Sequence, residues 1–367
     1  MPAAVTQHLA RLGFNAERLL RLAATQGADP DARNRLPGGV QLPAPGDIQE
    51  LPAPGSSGAK RLHARGLELL GAGRLAFVVL AGGMATRMGG VVKALVPALD
   101  GASFLDLRLA EHDTWTRRVG CPVPLWLMTS HATDTALRKA LGSRLEGDRV
   151  ATFMQDVSLR LSTDGGLFRD ADGELSLYAP GHGDLPDALR RSGLLERFVE
   201  RGGRYVWIAN IDNLGASVDP TLLGWHADQD TPVTVEVVDK EGSDKGGIPV
   251  RWRNRPVILE EFRLPKDFDP TQVRVFNTNT FLVDAKVLLG LDMDFTWVEV
   301  TKNVEGFKAV QFERLIGELT TQLPTDFVRV PRDGVVSRFL PVKDPEELHR
   351  RRDQIRAVVQ DRGMLPE

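Results

Sequence analysis

Short apolar runs alternate with amphipathic segments between residues 75 and 239, and this pattern is compatible with few folds. The run LAFVVL (75–80) is wholly apolar and ends at glycines, as a buried parallel strand does. Helical periodicity separates it from similar runs, which are PLWLMTS (124–130), VATFM (150–154), YVWIAN (205–210) and VTVEVVD (233–239). The pattern predicts βαβ units and a doubly wound α/β sheet. Such sheets bind ligands at the carboxyl ends of their strands, so the loops that follow the strands should carry the function.

Composition narrows the class of protein. The 367 residues include 46 basic and 49 acidic side chains, a net charge of −3, which argues against a nucleic-acid-binding surface. The one cysteine, Cys121, can form neither an intramolecular disulfide nor a Cys-rich zinc site, which favours a reducing, cytoplasmic location. We find no signal peptide at the start and no apolar run of about 18 residues, so we expect no membrane span.

The chain divides into four predicted parts. Residues 1–27 have helical apolar spacing and predict an N-terminal helix, and residues 28–60 are rich in proline and glycine and predict a surface connector or mobile linker. Residues 61–345 form the main domain, which becomes richer in strands after about residue 240. Residues 346–367 predict a charged helix with a solvated face.

The loop LAGGMATRMGGVVK (80–93) follows the first buried run. Gly82 and Gly83 let the backbone approach a ligand closely, and successive N–H groups there can bind an anion. Arg87 and Lys93 add the positive charge that a triphosphate needs. The loop is neither the dinucleotide fingerprint nor a Walker A motif. A tight strand-to-helix turn without a ligand is the alternative.

Two later loops also follow predicted strands or precede helices. In APGHGD, His182 lies between glycines, and Asp184 stands where it could cap the next helix. In IANIDNLGASVDP, Asp212 lies among polar amides and suits Mg²⁺, which takes oxygen ligands, or an Asx-turn that closes the strand. Asp219, just before Pro220, should cap the following helix.

Taken together, these motifs resemble the eukaryotic-type UDP-sugar pyrophosphorylase (uridylyltransferase) family. The family's loops read approximately GG-x-GT-x-MG with a following Pro-Lys, PPGHGD, NIDNLGATVD, FNTN and FLPVK. This chain departs at Ala85, where glycine is usual, and at Val92, where proline is usual, and its approach to Lys93 is one residue shorter. The resemblance implies a glycosyltransferase-A-like α/β fold: a mixed, mostly parallel sheet flanked by helices, with a β-rich region on the sugar side.

The resemblance also implies roles for individual residues. The nucleotide would contact Leu80, Ala81, Gly82, Gly83, Gln155, Gly181 and His182, and the sugar would contact Asn210, Gly247, Glu260, Asn277 and Asn279. Asp212 would hold Mg²⁺, while Lys93, Lys343 and Arg87 would neutralise phosphates. From the residues alone, Glu260 could equally be a solvent-facing strand residue and Lys343 a surface lysine. Asn277 and Asn279 should share one face of a strand by period two.

The implied reaction joins UTP and glucose 1-phosphate to give UDP-glucose and pyrophosphate. His182 and Asp184 favour glucose over N-acetylhexosamine, for which related enzymes carry a PPGNGG-like loop. Galactose or N-acetylglucosamine 1-phosphate as the substrate is one alternative, and a non-catalytic UDP-sugar sensor is another. Eukaryotic-type members continue after FLPVK into a left-handed β-helix, which we expect to be absent here, and oligomeric state is left open.

Overall fold

The apolar runs all become strands of one mixed sheet. The structure, a computed structural model, describes residues 3–27, 29–242 and 244–366. Its strands are β1 (Val40–Gln41), β2 (Ile48–Glu50), β3 (Leu75–Leu80), β4 (Met84–Ala85), β5 (Val91–Val92), β6 (Pro97–Leu99), β7 (Ala102–Ser103), β8 (Leu125–Thr129), β9 (Val150–Met154), β10 (Ser158–Leu159), β11 (Leu161–Ser162), β12 (Leu177–Tyr178), β13 (Tyr205–Asn210), β14 (Val233–Asp239), β15 (Gly247–Trp252), β16 (Arg255–Glu260), β17 (Val275–Asp284), β18 (Val298–Val304), β19 (Phe307–Glu313) and β20 (Thr325–Arg329).

Helices cover this sheet and both ends of the described chain. They are α1 (Ala3–Arg11), α2 (Ala16–Ala23), α3 (Pro30–Asn34), α4 (Ser57–Gly71), α5 (Phe104–Val119), α6 (Asp134–Leu141), α7 (Leu185–Arg191), α8 (Leu194–Glu200), α9 (Pro220–Ala227), α10 (Ala285–Leu289), α11 (Leu319–Gln322), α12 (Pro345–Arg350) and α13 (Arg352–Arg362). None of the helices in the described ranges is long and apolar enough to cross a membrane.

The main sheet has the order β2-β20-β14-β17-β13-β3-β8-β9. Strand β17 runs antiparallel to both of its neighbours, while the other pairs are parallel, so the predicted mixed, mostly parallel α/β sheet is confirmed. The chain leaves β3 toward β8 and β9 and then returns to β13 on the other side of β3. The carboxyl ends of β3 and β13 therefore adjoin, with Leu80 paired to Asn210, at a reversal of strand order where ligands bind in such folds.

The Pro-rich segment contributes strands to two sheets. Strand β1 pairs with β15, and β2 adds in parallel to the edge strand β20. An edge position suits a strand flanked by prolines, because proline has no N–H to donate to a ladder. We predicted a connector on the surface or a mobile linker. Strands form here because segments distant in sequence supply the hydrogen-bond partners.

Two helical segments of the structure are each divided in two. The segment 185–202 forms α7 and α8, because Gly193 adopts φ +71° between them. The C-terminal charged segment forms α12 and α13, and α13 buries Ile355, Val358 and Val359 completely. Helix α13 thus combines a charged face with a short apolar stripe that packs on the main core.

Candidate functional site

The glycine-rich loop after β3 folds as a hairpin. Strands β4 and β5 pair, and Lys93 N donates to Gly83 O (3.2 Å), so the chain returns to the end of β3. The loop is therefore not a tight strand-to-helix turn, because Gly89 and Gly90 take positive φ and reverse the chain. Arg87 is exposed on the turn of this hairpin.

Lys93 and Asp212 meet at the end of the sheet. The Lys93 Nζ donates directly to Asp212 Oδ2, and the two side chains are 20% and 13% exposed. The pair joins the loop after β3 to the loop after β13, the two strands beside the reversal of strand order. A Cβ placed on Gly83, whose carbonyl accepts from Lys93 N, would meet nothing within 4 Å, so the backbone at Gly83 is open on that side.

Polar residues around Asp212 hold the loop in place. Asn213 Oδ1 accepts from Leu340 N (2.7 Å), and Asn210 Oδ1 accepts from Asn279 Nδ2 (3.1 Å). Asp219 accepts from the N–H groups of Thr221 and Leu222, which confirms the predicted helix cap. Within the described ranges, no group of three or more His, Cys, Asp or Glu side chains is placed to hold a metal ion.

The FLPVK segment is anchored to the same loop. Pro341 forms a bridge with Asn213, which follows Asp212 directly. Lys343 N donates to Glu347 Oε2 (2.9 Å), and the Lys343 side chain is exposed at the start of α12. The segment therefore lies against the loop that contains Asp212, while the Lys343 side chain is exposed.

Gln155 and Gly82 are in close contact. A Cβ on Gly82 would lie 2.1 Å from Gln155 Nε2, so only glycine leaves space for this amide. Gln155 is 7% exposed, and its Oε1 accepts no hydrogen bond from the described residues. Gln155 N donates to Thr129 O (3.0 Å), which fixes the backbone. The site thus holds a buried acceptor that a ligand can satisfy.

The GHGD loop is hydrogen-bonded to residues 314 and 316, and its histidine is neutral. His182 Nδ1 accepts from Ile316 N (2.9 Å), so Nε2 carries the ring proton. Loss of hydration lowers the pKa of His182 to about 4. Gly181 has φ +102°, and a Cβ there would lie 2.8 Å from Arg314 O, so the close approach requires glycine.

Asp184 does not cap α7, so that prediction is wrong. Its carboxylate is fully buried, accepts from Asp156 N (3.0 Å) and pairs with Arg314, whose Nε lies 2.7 Å from Asp184 Oδ1. Arg314 also pairs with Asp187. Sequence reasoning missed Arg314, because it lies 130 residues from Asp184 and no local pattern connects them.

The predicted sugar residues lie on four strands: Asn210 ends β13, Gly247 begins β15, Glu260 ends β16, and Asn277 and Asn279 lie on β17. Gly247 and Glu260 face each other across the β15–β16 pair, and a Cβ on Gly247 would lie 3.0 Å from Glu260 Oε1. Burial, with the neighbouring charge of Glu261, raises the pKa of Glu260 to about 7. This shielding disfavours the alternative of an ordinary solvent-facing residue.

Asn277 and Asn279 do not follow simple strand alternation. Asn279 has φ +59°, and its N–H donates to Asn277 Oδ1 (2.8 Å), where the pairing of β17 with β14 shifts register. The left-handed residue interrupts the period of two on which our prediction depended. The Asn277 side chain bonds the Asn279 backbone instead, and the Asn279 side chain donates to Asn210 Oδ1.

The chain was compared with known proteins. A family model described as UTP–glucose-1-phosphate uridylyltransferase matches residues 48–360. Among curated relatives, the UTP–glucose-1-phosphate uridylyltransferase of Encephalitozoon cuniculi is 32% identical over 290 residues, which are 75% of this chain and 57% of the relative. That of Hordeum vulgare is 31% identical over 291 residues, 75% of this chain and 61% of the relative. The chain thus spans about three fifths of the length of these relatives.

Solved structures share the fold. A UDP-glucose phosphorylase from Trypanosoma brucei aligns with TM-score 0.73 and 24% identity over 93% of this chain and 76% of its own. A UDP-glucose pyrophosphorylase variant from Leishmania major, in complex with UDP-glucose, aligns with TM-score 0.72 and 21% identity over 95% of this chain and 78% of its own. With the family match covering most of its length, the chain belongs to the UTP–glucose-1-phosphate uridylyltransferase family.

Proposed function

We propose that this chain catalyses UTP + glucose 1-phosphate ⇌ UDP-glucose + pyrophosphate. The observation that carries the proposal is the Lys93–Asp212 pair, which lies between the loops after β3 and β13. Family membership and the names of the relatives support the same reaction. The single cysteine supports a reducing, cytoplasmic location.

The chemistry requires charge and orientation more than proton transfer. A phosphate oxygen of glucose 1-phosphate attacks the α-phosphorus of UTP in line, and pyrophosphate leaves. Because this nucleophile is already anionic, no general base is needed. His182 fits that requirement, since it is neutral near pH 7 and its Nδ1 is engaged with Ile316 N. Preorganised positive charge is then the main source of rate enhancement.

Lys93 and Asp212 each have a role once nucleotide arrives. In the free protein each charge compensates the other. Phosphates entering the space beside Gly83 would draw Lys93 away and leave Asp212 free to accept a cation. We assign Lys93 to the leaving pyrophosphate, with Arg87 assisting from the exposed turn. We assign Lys343 to the α-phosphate or sugar phosphate, which its long, exposed side chain can reach from the anchored segment.

Asp212 would hold Mg²⁺. One partly exposed carboxylate fits this ion, because Mg²⁺ in nucleotide sites takes one or two carboxylates, phosphate oxygens and water. When bound, Mg²⁺ neutralises phosphate charge and orients the oxygens. The side chain of the next residue, Asn213, accepts a hydrogen bond from Leu340 N, which fixes the backbone beside Asp212.

The residues proposed to hold the nucleotide are Leu80, Ala81, Gly82, Gly83, Gln155, Gly181 and His182, and we call the first five the proposed base wall. Uracil carries an N3–H donor, and Gln155 Oε1 is a buried acceptor without a partner among the described residues. Gly82 leaves space for that amide. The proposed sugar contacts are Asn210, Gly247, Glu260, Asn277 and Asn279, whose amides and carboxylate can bond hydroxyl groups.

Pyrophosphate release tests the proposal. UTP is mixed with glucose 1-phosphate, galactose 1-phosphate or N-acetylglucosamine 1-phosphate, with and without Mg²⁺. We expect fast, Mg²⁺-dependent release with glucose 1-phosphate. Release only with another sugar would retain the mechanism and change the substrate. Folded protein that binds UDP-glucose yet releases no pyrophosphate with any sugar would contradict the enzymatic function and indicate a sensor.

A further inference from the structure

Three arginines hold the backbone of the loop that follows Asp212. Arg108 on α5 is fully buried and donates to Asn213 O (2.6 Å) and Ala216 O (3.0 Å). Arg338 donates to Ser217 O (2.8 Å). Arg362, the last residue of α13, donates to Leu214 O (3.1 Å) and Gly215 O (2.5 Å). Carbonyl groups of a loop buried this deeply need such donors.

Arg362 differs from the other two in what it connects. Its Nη2 donates to Ser337 O (2.5 Å), so one guanidinium bonds two chain segments. One segment follows Asp212, and the other leads through Phe339 to Lys343. The planar, forked group of arginine can bond carbonyls on both sides at once.

The segment after Asp212 and the segment that leads to Lys343 lie side by side, and Arg362 bonds both. We call this contact the seam. Asn213 bonds Leu340 N (2.7 Å) and Arg338 O (3.3 Å). A Cβ on Gly215 would lie 2.6 Å from Arg338 C, so the backbones are in direct contact there. A shift of either segment would therefore move the other.

Helix α13 holds Arg362 in place. Its apolar residues Ile355, Val358 and Val359 are fully buried, and Gly363 ends the helix with φ +64°. Thr114 Oγ1 donates to Gly363 O (2.6 Å), which attaches this end to α5. Burial and the nearby charge of Arg338 lower the pKa of Arg362 to about 10, so it stays protonated near pH 7.

We propose that Arg362 is a positioning residue for uridylyl transfer: by bonding Leu214, Gly215 and Ser337, it fixes the distance between Asp212 and Lys343. The inference rests on the proposed function. The two residues act on the same phosphates, and a small displacement of such groups reduces turnover even when the mutated residue is far from the chemistry. The family match ends at residue 360, two residues before Arg362.

The test compares Arg362→Met, Arg362→Lys and the control Arg356→Met with the wild type. Arg356 lies on the same helix, but its guanidinium bonds the exposed Asp100 (2.5 and 2.8 Å) away from the seam. For each folded protein, pyrophosphate release gives kcat and KM, and calorimetry with UTP gives the Mg²⁺ concentration for half-maximal binding. Melting temperatures are measured in parallel.

We expect Arg362→Met to lower kcat by about 10–100-fold and to raise the half-saturating Mg²⁺ concentration, with KM for UTP changed much less. Arg362→Lys should recover part of kcat, because lysine keeps the charge but not the fork. Arg356→Met should match the wild type in both readouts. If Arg362→Met fails to fold, Arg362→Lys decides by the same two readouts.

A lower melting temperature with wild-type kcat and Mg²⁺ dependence would overturn the inference, since a merely structural residue behaves that way. Failure of the proposed function is recognised separately, because then the wild type itself releases no pyrophosphate. In that case the Mg²⁺ dependence of UTP binding decides: a shift in Arg362→Met alone supports positioning, and no shift refutes it.

Discussion

At the scale of single residues, the site contains one ion pair between two loops. Lys93 and Asp212 lie on different loops, and each is mostly shielded from water. Their pairing keeps the free site nearly neutral, so that neither charge is left uncompensated in a partly buried place. Binding must then exchange this pair for contacts with phosphates.

Removing either charge should slow the reaction strongly. We predict that Lys93→Ala and Asp212→Ala each lower kcat by about 10²–10³-fold, because both act on charge that develops in the transition state. Steady-state pyrophosphate release measures this. Lys286→Ala is the control, since this exposed lysine follows β17 at the opposite edge of the sheet. Turnover like that of the wild type in either variant would refute the assigned role.

Gln155 should determine the choice of pyrimidine. In Gln155→Leu we predict that the preference for UTP over CTP, measured as kcat/KM, falls about tenfold, the value of one neutral hydrogen bond. Uracil N3–H can donate to Gln155 Oε1, whereas cytosine N3 cannot. Gln322→Leu, at an exposed position before β20, should leave the preference unchanged. An unchanged preference in Gln155→Leu would remove this residue from the base site.

Glu260 should make sugar-phosphate use depend on pH. Its pKa of about 7 means that the carboxylate forms as pH rises through neutrality. An ionised carboxylate accepts stronger hydrogen bonds from sugar hydroxyls, so we predict that kcat/KM for glucose 1-phosphate rises between pH 6 and pH 8, a window of about one unit on either side.

Glu260→Gln is the matched variant for this profile, because its amide keeps the shape and cannot titrate. The titration of the substrate's own phosphate is common to both proteins and cancels in the ratio of their kcat/KM values. A ratio that stays flat across the pH range would show that Glu260 does not contact the sugar in its ionised form.

At the scale of elements, the first two helices contact the segment that follows Gln155, a residue of the proposed base wall. Leu12 O, after α1, accepts from Val157 N (3.0 Å), two residues beyond Gln155. Arg18 on α2 pairs with Asp156 (3.6 Å) and stacks over Trp297. A separate core cluster of Leu9, Phe14, Leu19 and Leu22 with residues of β10, β11 and β19 joins these helices to the fold.

Neighbouring leucines on α2 test this cluster. Leu19 is 6% exposed and Leu20 is 71% exposed. We predict that Leu19→Ala lowers the free energy of unfolding by about 2–5 kcal/mol, the usual cost of a buried leucine. Leu20→Ala should change it by less than about 0.5 kcal/mol. Urea unfolding followed by circular dichroism measures both, and equal effects would mean that α2 does not pack as described.

Elements with strong local signals were predictable from the sequence. The strands β3, β9 and β13 match their apolar runs residue for residue, because each run is short, buried and followed by a loop residue that ends it. The loops at their carboxyl ends then followed from the general rule for α/β sheets. The resemblance supplied the individual site residues, which remain predictions.

Features that depend on distant partners were not predictable. The β18–β19 hairpin lacks a regular apolar alternation, and its strand β19 also pairs with the distant β11. Asp184 pairs with Arg314, which is 130 residues away, and Arg108 donates to the carbonyls of residues 213 and 216. An arginine in an amphipathic helix looks the same in sequence whether it faces water or holds a loop.

At the scale of the whole molecule, the first and last described helices both support the site. Helices α1 and α2 lie behind the residues next to Gln155, and α13 closes the seam beside Asp212. The sheet supplies the edge where β3 and β13 adjoin. All of these contacts are between protein groups, so we expect removal of the metal to affect activity and not stability.

Chelation should stop the reaction without loosening the fold. The described residues contain no group of three or more metal-ligating side chains, and Asp212 is compensated by Lys93 in the free protein. We predict that excess EDTA abolishes pyrophosphate release while the melting temperature stays within about 1 °C, because no metal-binding free energy contributes to folding. UTP with Mg²⁺ at about 100 times its Kd should raise the melting temperature by about 3 °C. Differential scanning fluorimetry with the wild type and Asp212→Ala measures both effects, and the variant should lose the Mg²⁺-dependent part of the rise. A large fall in melting temperature on EDTA alone would indicate a structural metal and contradict the assignment of Mg²⁺ to the nucleotide site.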